Sequence, residues 1–294
     1  MVGRPFKLQI KISPKFLFSG ALIGLVLLFA ALFSLPDGKL HLVFCDVGQG
    51  DAIYIRGATG EDILVDGGPN EKVLSCLGSH MPFYDRTLEL VILSHPQADH
   101  LNGLISAVER YNVNYFVSSG IGSETEGYKR LENLIKTKKI DKKMLFSGGK
   151  IVLDGLTLAT LWPKEGVLGT ATSGTDLNNL SLVLRLSYGN FDALLTGDAG
   201  ASVFEELALS PSLAGEWEVL KIPHHGSKTS LLTSFLEKIS PQLAVISVGK
   251  NSYGHPAKET LRMLKDLGIK ILRTDENGEI EIVSDGKGWY TRAK

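Results

Sequence analysis

SHPQADH, residues 94–100, lies where two sequence patterns meet. Residues 88–93, LELVIL, read as a buried strand, and residues 101–111 place Leu104, Ile105 and Val108 on one face of an amphipathic helix. The seven residues between them therefore form a strand-to-helix loop, where polar side chains crowd into a small volume at a sheet edge. Asp99 and His100 are adjacent in that loop. A carboxylate and an imidazole aimed at one point suit zinc or manganese better than copper or an iron-sulfur cluster. An Asp capping the helix beside a surface His gives the same local pattern, so spacing alone leaves both readings open. Of the seven histidines, five (His95, His100, His224, His225 and His255) fall at predicted strand ends or in loops beside Asp, Gly or Pro. His41 sits on a predicted strand, and neither it nor His80 is assigned a role.

Outward from this loop the chain divides into two strand-rich halves. Upstream, residues 40–45, 51–56 and 62–66 are short runs rich in β-branched residues, separated by Gly clusters. Downstream come a helix over 125–138, strands over 150–153, 156–162, 181–186 and 191–195, and a helix over 201–209. VLKIP, AVISV and KILRT then give strands that alternate with helices near 231–239 and 258–266. A closing hairpin over 279–282 is expected to turn at Asn277-Gly278. Two strand-rich halves with helices outside them predict an α/β protein, an αββα four-layer sandwich. No long linker or repeat interrupts residues 36–294, which read as one domain.

Residues 1–35 differ from the rest. FLFSGALIGLVLLFAALFSL, residues 16–35, carries no charge. At about 1.5 Å per residue it is long enough to span a ~30 Å hydrocarbon core as one transmembrane helix. Arg4, Lys7, Lys11 and Lys15 precede it, so the positive-inside rule predicts a single-pass membrane protein with a cytoplasmic N-terminus and residues 36–294 outside. A cleaved signal peptide, and hence a secreted domain, is the alternative. Without that segment 27 basic residues face 32 acidic ones, a balance of -5, which gives no support to a strongly polyanion-binding surface. Lys136, Lys138, Lys139, Lys142 and Lys143 form either a local basic patch or a solvated helix end. Two cysteines, Cys45 and Cys76, exclude a disulfide framework and a multi-cysteine zinc knuckle while permitting one bridge.

Further motifs carry a resemblance. Asp66 in LVDGG, the SHPQADH segment, and Asp198 in TGD resemble the ordered motifs of the metallo-β-lactamase superfamily, whose ligand motif is H-x-H-x-D-H. More narrowly, DVGQGD at 46–51, NNLSLVLRL at 178–186, PHHGS at 223–227 and YGHP at 253–256 resemble the hydrolase domain of ComEC-type competence proteins. The match runs through nearly everything after Pro36. It implies the metallo-β-lactamase fold and a divalent metal, Zn or Mn, at a centre drawn from His95, Gln97, Asp99, His100, Asp198 and a late histidine. The chain departs from the pattern at Gln97, where the superfamily has its second His, and at Asn178 or Asn179, where it has a third. Amide oxygens are weak, neutral ligands, so one firm metal site is expected and the second is weak or absent. By analogy with related nucleases His255 is the expected late ligand and His225 the proton donor. The competing assignment makes His224 or His225 the ligand.

The resemblance further implies a metal-dependent hydrolase, a phosphodiesterase or nuclease acting on DNA outside the cytoplasmic membrane. Asp99 would orient water, and His225 or His224 would protonate the leaving oxygen. Such a domain would act beside a separately encoded DNA-uptake channel or as an independent enzyme. Asp66 is expected either to fix a ligand imidazole or to form a turn before Gly67-Gly68. Asp46 and Asp51 read foremost as parts of a tight turn, and Ser227 as a helix cap or part of an anion-holding helix start. Hydrolysis of another ester, a lactone or a β-lactam is the competing activity. A catalytically weak domain that binds nucleic acid or protein is the competing non-enzyme.

Overall fold

In the computed structural model, which describes residues 14–33, 35–166, 174–210, 213 and 217–293, α1 (Pro14–Phe33) forms over the apolar N-terminal segment. Its large side chains, Phe16, Phe18 and Ile23 among them, are exposed. The segment expected to span a membrane is thus helical through Phe33, yet no helix among the described residues is long and apolar enough to cross one. Arg4, Lys7 and Lys11, which carry most of the expected orientation signal, lie outside the described residues.

After α1 the apolar runs pair into two sheets. β1 (Leu40–Phe44), β2 (Ile53–Arg56) and β3 (Asp62–Val65) form an antiparallel meander. α2 (Val73–His80) leads to β4 (Thr87–Leu93), and α3 (Ala98–Arg110) to β5 (Asn112–Ser118). α4 (Glu126–Thr137) then leads to β6 (Asp141–Met144), so that β3 to β6 run parallel with helical crossovers. The second sheet starts as an antiparallel series of β7 (Lys150–Leu153), β8 (Leu156–Trp162), β9 (Val183–Tyr188) and β10 (Phe191–Leu195), with α5 (Gly174–Asn179) between β8 and β9. It continues in parallel through β11 (Val219–Lys221), β12 (Leu243–Ile246) and β13 (Lys270–Arg273). α6 (Ala201–Ala208), α7 (Thr233–Ile239) and α8 (Lys258–Asp266) make the crossovers.

Three apolar layers explain why these strands are buried on both faces. Leu42, Ile55, Ile63 and Ile92 of the first sheet meet Leu158, Leu184, Phe191 and Val245 of the second. Leu64 and Val91 point the other way, onto Leu101, Leu104 and Val108 of α3. Leu194, Leu220 and Ile246 do the same on the far side, against Phe204, Phe235 and Leu264. The result is the expected αββα sandwich. Cys45 and Cys76 form a disulfide between the end of β1 and α2, across a sequence separation of 31. Closing a loop of that length removes about 3–4 kcal/mol of chain entropy from the unfolded state.

Three expectations are corrected. Asn277-Gly278 does not turn a hairpin, because Thr274–Asn277 forms a short helix, α9, that carries the chain from the second sheet back to the first. There β14 (Ile280–Ser284) pairs with β1, setting Ile282 opposite Leu42, and turns into β15 (Trp289–Ala293) on its other side. α2, β5 and β6 were not expected at all; Lys136, Lys138 and Lys139 do end α4 as an exposed helix terminus, whereas Lys142 and Lys143 lie on β6. All four residues of β6 are exposed on a sheet edge, where Lys side chains discourage pairing with another chain. Nor is the lysine cluster a free basic face: Lys142 pairs with Glu132 at 2.7 Å and Lys143 with Asp141 at 3.1 Å, while Lys138 Nζ donates to the carbonyls of Glu109 and Tyr111.

Candidate metal centre

Strand ends of both sheets open onto one edge, and the loops that follow β1, β3, β4, β10, β11 and β12 converge there. α3 starts at Ala98, earlier than expected, with Gln97 at its N-cap position, so Asp99 and His100 project from its first turn and Asp99 is not the cap. The DVGQGD loop closes over them. At Gly50 (φ 143°) a Cβ would stand 2.2 Å from the Asp99 carbonyl oxygen, so only glycine lets Asp51 N donate to that oxygen, at 3.2 Å. On the other side His224 (φ 49°) and His225 (φ 53°) are both left-handed, inside a 3-10 turn over Pro223–Gly226. Consecutive non-glycine residues in that region cost of order 1–3 kcal/mol each and persist where the surroundings over-determine them. Ser230 Oγ supplies part of that restraint, bonding the carbonyls of Pro223 (3.1 Å) and Ser227 (2.9 Å).

Asp99, His100, Asp198 and His225 each offer a ligand atom, and these atoms lie within 4.8 Å of one another. His100 Nε2 is 3.2 Å from Asp198 Oδ1, and His225 Nε2 is 3.4 Å from Asp198 Oδ2 and 3.2 Å from Asp99 Oδ2. Each imidazole is oriented from behind. His100 Nδ1 donates to Asp66 Oδ2 at 2.8 Å, and His225 Nδ1 donates to the Ser247 carbonyl at 2.9 Å, which leaves both Nε2 atoms facing the cluster. Asp66 is itself pinned by Ser94, through its backbone N at 2.8 Å and its Oγ at 2.6 Å. Both Asp198 carboxylate oxygens and His100 Nε2 are buried without a hydrogen-bond partner among the described residues. Such orphaned atoms are costly unless something binds them, and two carboxylates with two imidazoles are a donor set that fits a divalent cation.

The electrostatics agree. Burial alone would depress His100, but the Asp198 and Asp66 carboxylates outweigh it and raise it well above the usual histidine value. Burial is likewise outweighed at His225, which Asp198, Asp51 and Asp99 raise. Against the same burial, His225 and His100 hold Asp198 and Asp99 below the ordinary carboxylate range. The cluster therefore stores protons on its imidazoles that a bound cation would displace.

The model of the metallo-beta-lactamase superfamily matches residues 45–250, more than half of the chain. The chain belongs to this superfamily. It is 29% identical over 266 residues to ComE operon protein 3 of Bacillus subtilis, a match covering 83% of this chain and 33% of that protein. It is also 29% identical over 260 residues to competence protein ComA of Neisseria gonorrhoeae, covering 84% of this chain and 33% of the relative. The chain thus spans about a third of the length of these curated relatives. Among solved structures it shares its fold with Igni18, a metallo hydrolase from Ignicoccus hospitalis (14% identity, TM-score 0.55, 82% of this chain and 98% of that one).

The other expected positions separate clearly. His255 does not join the cluster; it lines the cleft outside it, its ring 5.6 Å from that of His224, and His225 takes the place expected for it. The physical reason is the left-handed turn, which swings His225 inward to 2% exposure and leaves His224 at the cleft wall, 33% exposed. Where the superfamily motif has its second His, Gln97 Nε2 donates to Asn178 Oδ1, and Asn178 Nδ2 in turn faces His224 Nε2 at 3.5 Å. Asn179 is not part of this pair: its Oδ1 accepts from Gly200 N at 3.1 Å and its carbonyl from Trp162 Nε1 at 2.6 Å. Ser227 is not the N-cap of the following helix, because α7 begins only at Thr233 with Leu232 at its N-cap position; it closes the 3-10 turn over Pro223–Gly226 instead. Asp46 is exposed and turns the loop, accepting from Gly48 N at 3.3 Å. Asp51, in contrast, is buried in the centre, 3.8 Å from His100 Nδ1 and 3.5 Å from His225 Nδ1. Lys221 escaped the sequence reading entirely. It is fully buried and paired to Asp51, and the signal was a lysine inside the apolar run VLKIP, immediately before PHHGS.

His95 stays neutral in the fold, because complete burial pushes its pKa down to about 3. The unfolded chain takes up a proton near pH 6.5 that the folded chain refuses, so wild type loses about 1.4 kcal/mol of stability per pH unit below 6.5 on account of this residue. His95→Gln removes that loss while leaving the raised His100 and His225, whose contributions have the opposite sign, in both proteins. Urea unfolding in metal-free buffer should therefore show the gap between wild type and variant moving by about 2 kcal/mol in favour of the variant from pH 7 to pH 5. A constant gap would mean that His95 is protonated in the fold.

Proposed function

We propose that this domain is a one-metal hydrolase of phosphodiesters that acts on DNA outside the cytoplasmic membrane. The observation that carries the metal reading is the convergence of Asp99, His100, Asp198 and His225 around orphaned buried atoms. The amide pair Gln97–Asn178 supports one firm site over two. When bound, a divalent ion, Mn or Zn, supplies Lewis acidity that acidifies water and polarises the oxygen under attack. The chain's own residues do the rest. Asp99 is the one cluster member with substantial solvent access (31%), so its carboxylate orients water entering from the cleft. His224 stands at the wall with Nε2 4.0 Å from Asp198 Oδ2, and burial holds it below the usual histidine value. Its imidazole, whose Nε2 also faces Asn178 Nδ2 at 3.5 Å, is placed to relay a proton to the leaving oxygen.

The phosphodiester reading draws on the cleft and on the relatives. The cleft, about 550 Å³, is bordered by Gln49, Gln97, Lys250, Asn251, Tyr253 and His255, which offer a cation, amide donors and an aromatic face to a nucleotide chain. A second cavity of about 490 Å³, bordered by Leu90, Tyr115, Met144 and Ile151, includes none of the histidines. The two relatives are named as a competence protein and a ComE operon protein, consistent with a role in DNA uptake beside a separate channel. For location, the uncharged run over residues 16–35 is the sequence's argument for a single membrane anchor, and the Cys45–Cys76 disulfide supports an oxidising compartment.

Metal analysis of the full chain, followed by assays on single- and double-stranded DNA, RNA and small esters with Mn²⁺ or Zn²⁺, tests the reading. One bound equivalent and metal-dependent DNA cleavage are expected. Turnover confined to small esters or lactones would refute the phosphodiesterase, and no bound divalent ion would refute the mechanism.

A further inference from the structure

A lysine on a buried strand is expensive unless its charge is answered, and Lys221 is answered entirely by oxygens. It closes β11, with Val219 and Leu220 before it and Ile222 after it, all fully buried. Its Nζ pairs with Asp51 Oδ2, donates to the Gly197 carbonyl at 2.8 Å and stands 3.7 Å from Asp198 Oδ1. An ammonium held by two carboxylates and a carbonyl occupies the kind of all-oxygen nest that a hard cation would take. The surroundings sharpen the point. Asp51, Asp66 and His100 form a second trio whose ligand atoms lie within 4.8 Å of one another, next to the four-residue cluster and sharing His100 with it. Lys221 sits on the Asp51 oxygen of that trio, while the His100 Nδ1 proton holds the Asp66 oxygen.

We propose that Lys221 is a resident cation of the metal centre, whose fixed charge limits the centre to one divalent ion. The proposal rests on the metallohydrolase reading above and adds a cause for the metal count. The amide pair Gln97–Asn178 weakens the second site on the cleft side, and Lys221 closes the trio on the buried side. Lys221 is a positioning residue: it acts on the ion through Asp198 and Asp51, and it opposes a further cation by like-charge repulsion. It also anchors the Gly197 carbonyl, and with it the turn from which Asp198 projects.

The test is calorimetric titration and elemental analysis of the full chain with Mn²⁺ alone, with no substrate present. Wild type should take up one equivalent. Lys221→Met should bind the ion at least about tenfold more tightly, or take up a second equivalent, because a repelling charge is gone. A merely structural lysine predicts the reverse, a weaker site. Asp51→Asn keeps the shape but strips Lys221 of its counter-charge, so binding should weaken at least about tenfold, and adding Lys221→Met should restore it. That double variant buries no unpaired charge, which keeps the test open if Lys221→Met alone fails to fold. Two equivalents in wild type, equal or weaker binding in folded Lys221→Met, or additive losses in the double variant would overturn the proposal and leave the hydrolase reading standing. Wild type that binds no ion would overturn both.

Discussion

Asp198→Asn should leave the fold intact and abolish the metal centre. Asp198 is 1% exposed, and its two oxygens reach His100, His225, His224 and Lys221 between them, so three imidazoles and the buried lysine refer to this one carboxylate. The asparagine keeps the volume but turns one oxygen into an NH₂ whose protons face the cluster. Removing a residue that merely orients a metal ligand costs 10–100-fold in affinity, so loss of a ligand at the centre should exceed about 100-fold. Hydrolysis should fall by at least about 10³-fold, more than the loss of one well-placed donor in an oxyanion site. The metal-free variant has a second signature. Without the Asp198 charge, His100 and His225 lose the largest of the influences that raise them, so both should titrate nearer the ordinary histidine value. Titration followed by NMR of the imidazole protons reads this directly. Metal affinity and turnover within threefold of wild type would refute the role assigned to Asp198.

The layers were legible because parallel, doubly covered strands leave continuous apolar runs, and LELVIL, VLKIP and AVISV are such runs. The missed elements lack that signal. β5, NVNYFVS, mixes buried Val113, Phe116 and Val117 with exposed Asn112, Asn114 and Tyr115, and β6, DKKM, buries nothing. β14 was foreseen as a strand but not its partner, since its pairing with β1 joins residues some 240 positions apart. The site divides in the same way. Asp99, His100 and Asp198 could be read because they lie in contiguous motifs. Asp51 and Lys221 could not, because each looks structural until the fold brings the DVGQGD loop onto the end of β11. Which of the two histidines of PHHGS faces the cluster is set by a left-handed backbone turn through both of them that no residue pattern announces.

That last distinction decides the fourth position of the centre, and single substitutions should separate it cleanly. His225→Ala should lower metal affinity by more than about 100-fold and reduce hydrolysis to background. The residue is 2% exposed, its Nδ1 is committed to the Ser247 carbonyl, and its Nε2 faces Asp99 and Asp198. His224→Ala should keep metal affinity within about threefold while lowering kcat by about 10²–10⁴-fold, the range for a lost general acid. The decline should shrink for substrates whose leaving oxygen is a phenolate, because such a group departs without a proton. His255→Ala should spare both the metal and this leaving-group dependence and act chiefly on KM, since His255 lies along the cleft wall beside Tyr253 and Lys250. The variants share the loss of one imidazole, so titration with Mn²⁺ and kinetics on paired leaving groups rank them without reference to overall charge. If His255→Ala empties the centre and His225→Ala retains it, the fourth ligand is His255, and the left-handed turn at residues 224 and 225 serves proton transfer alone.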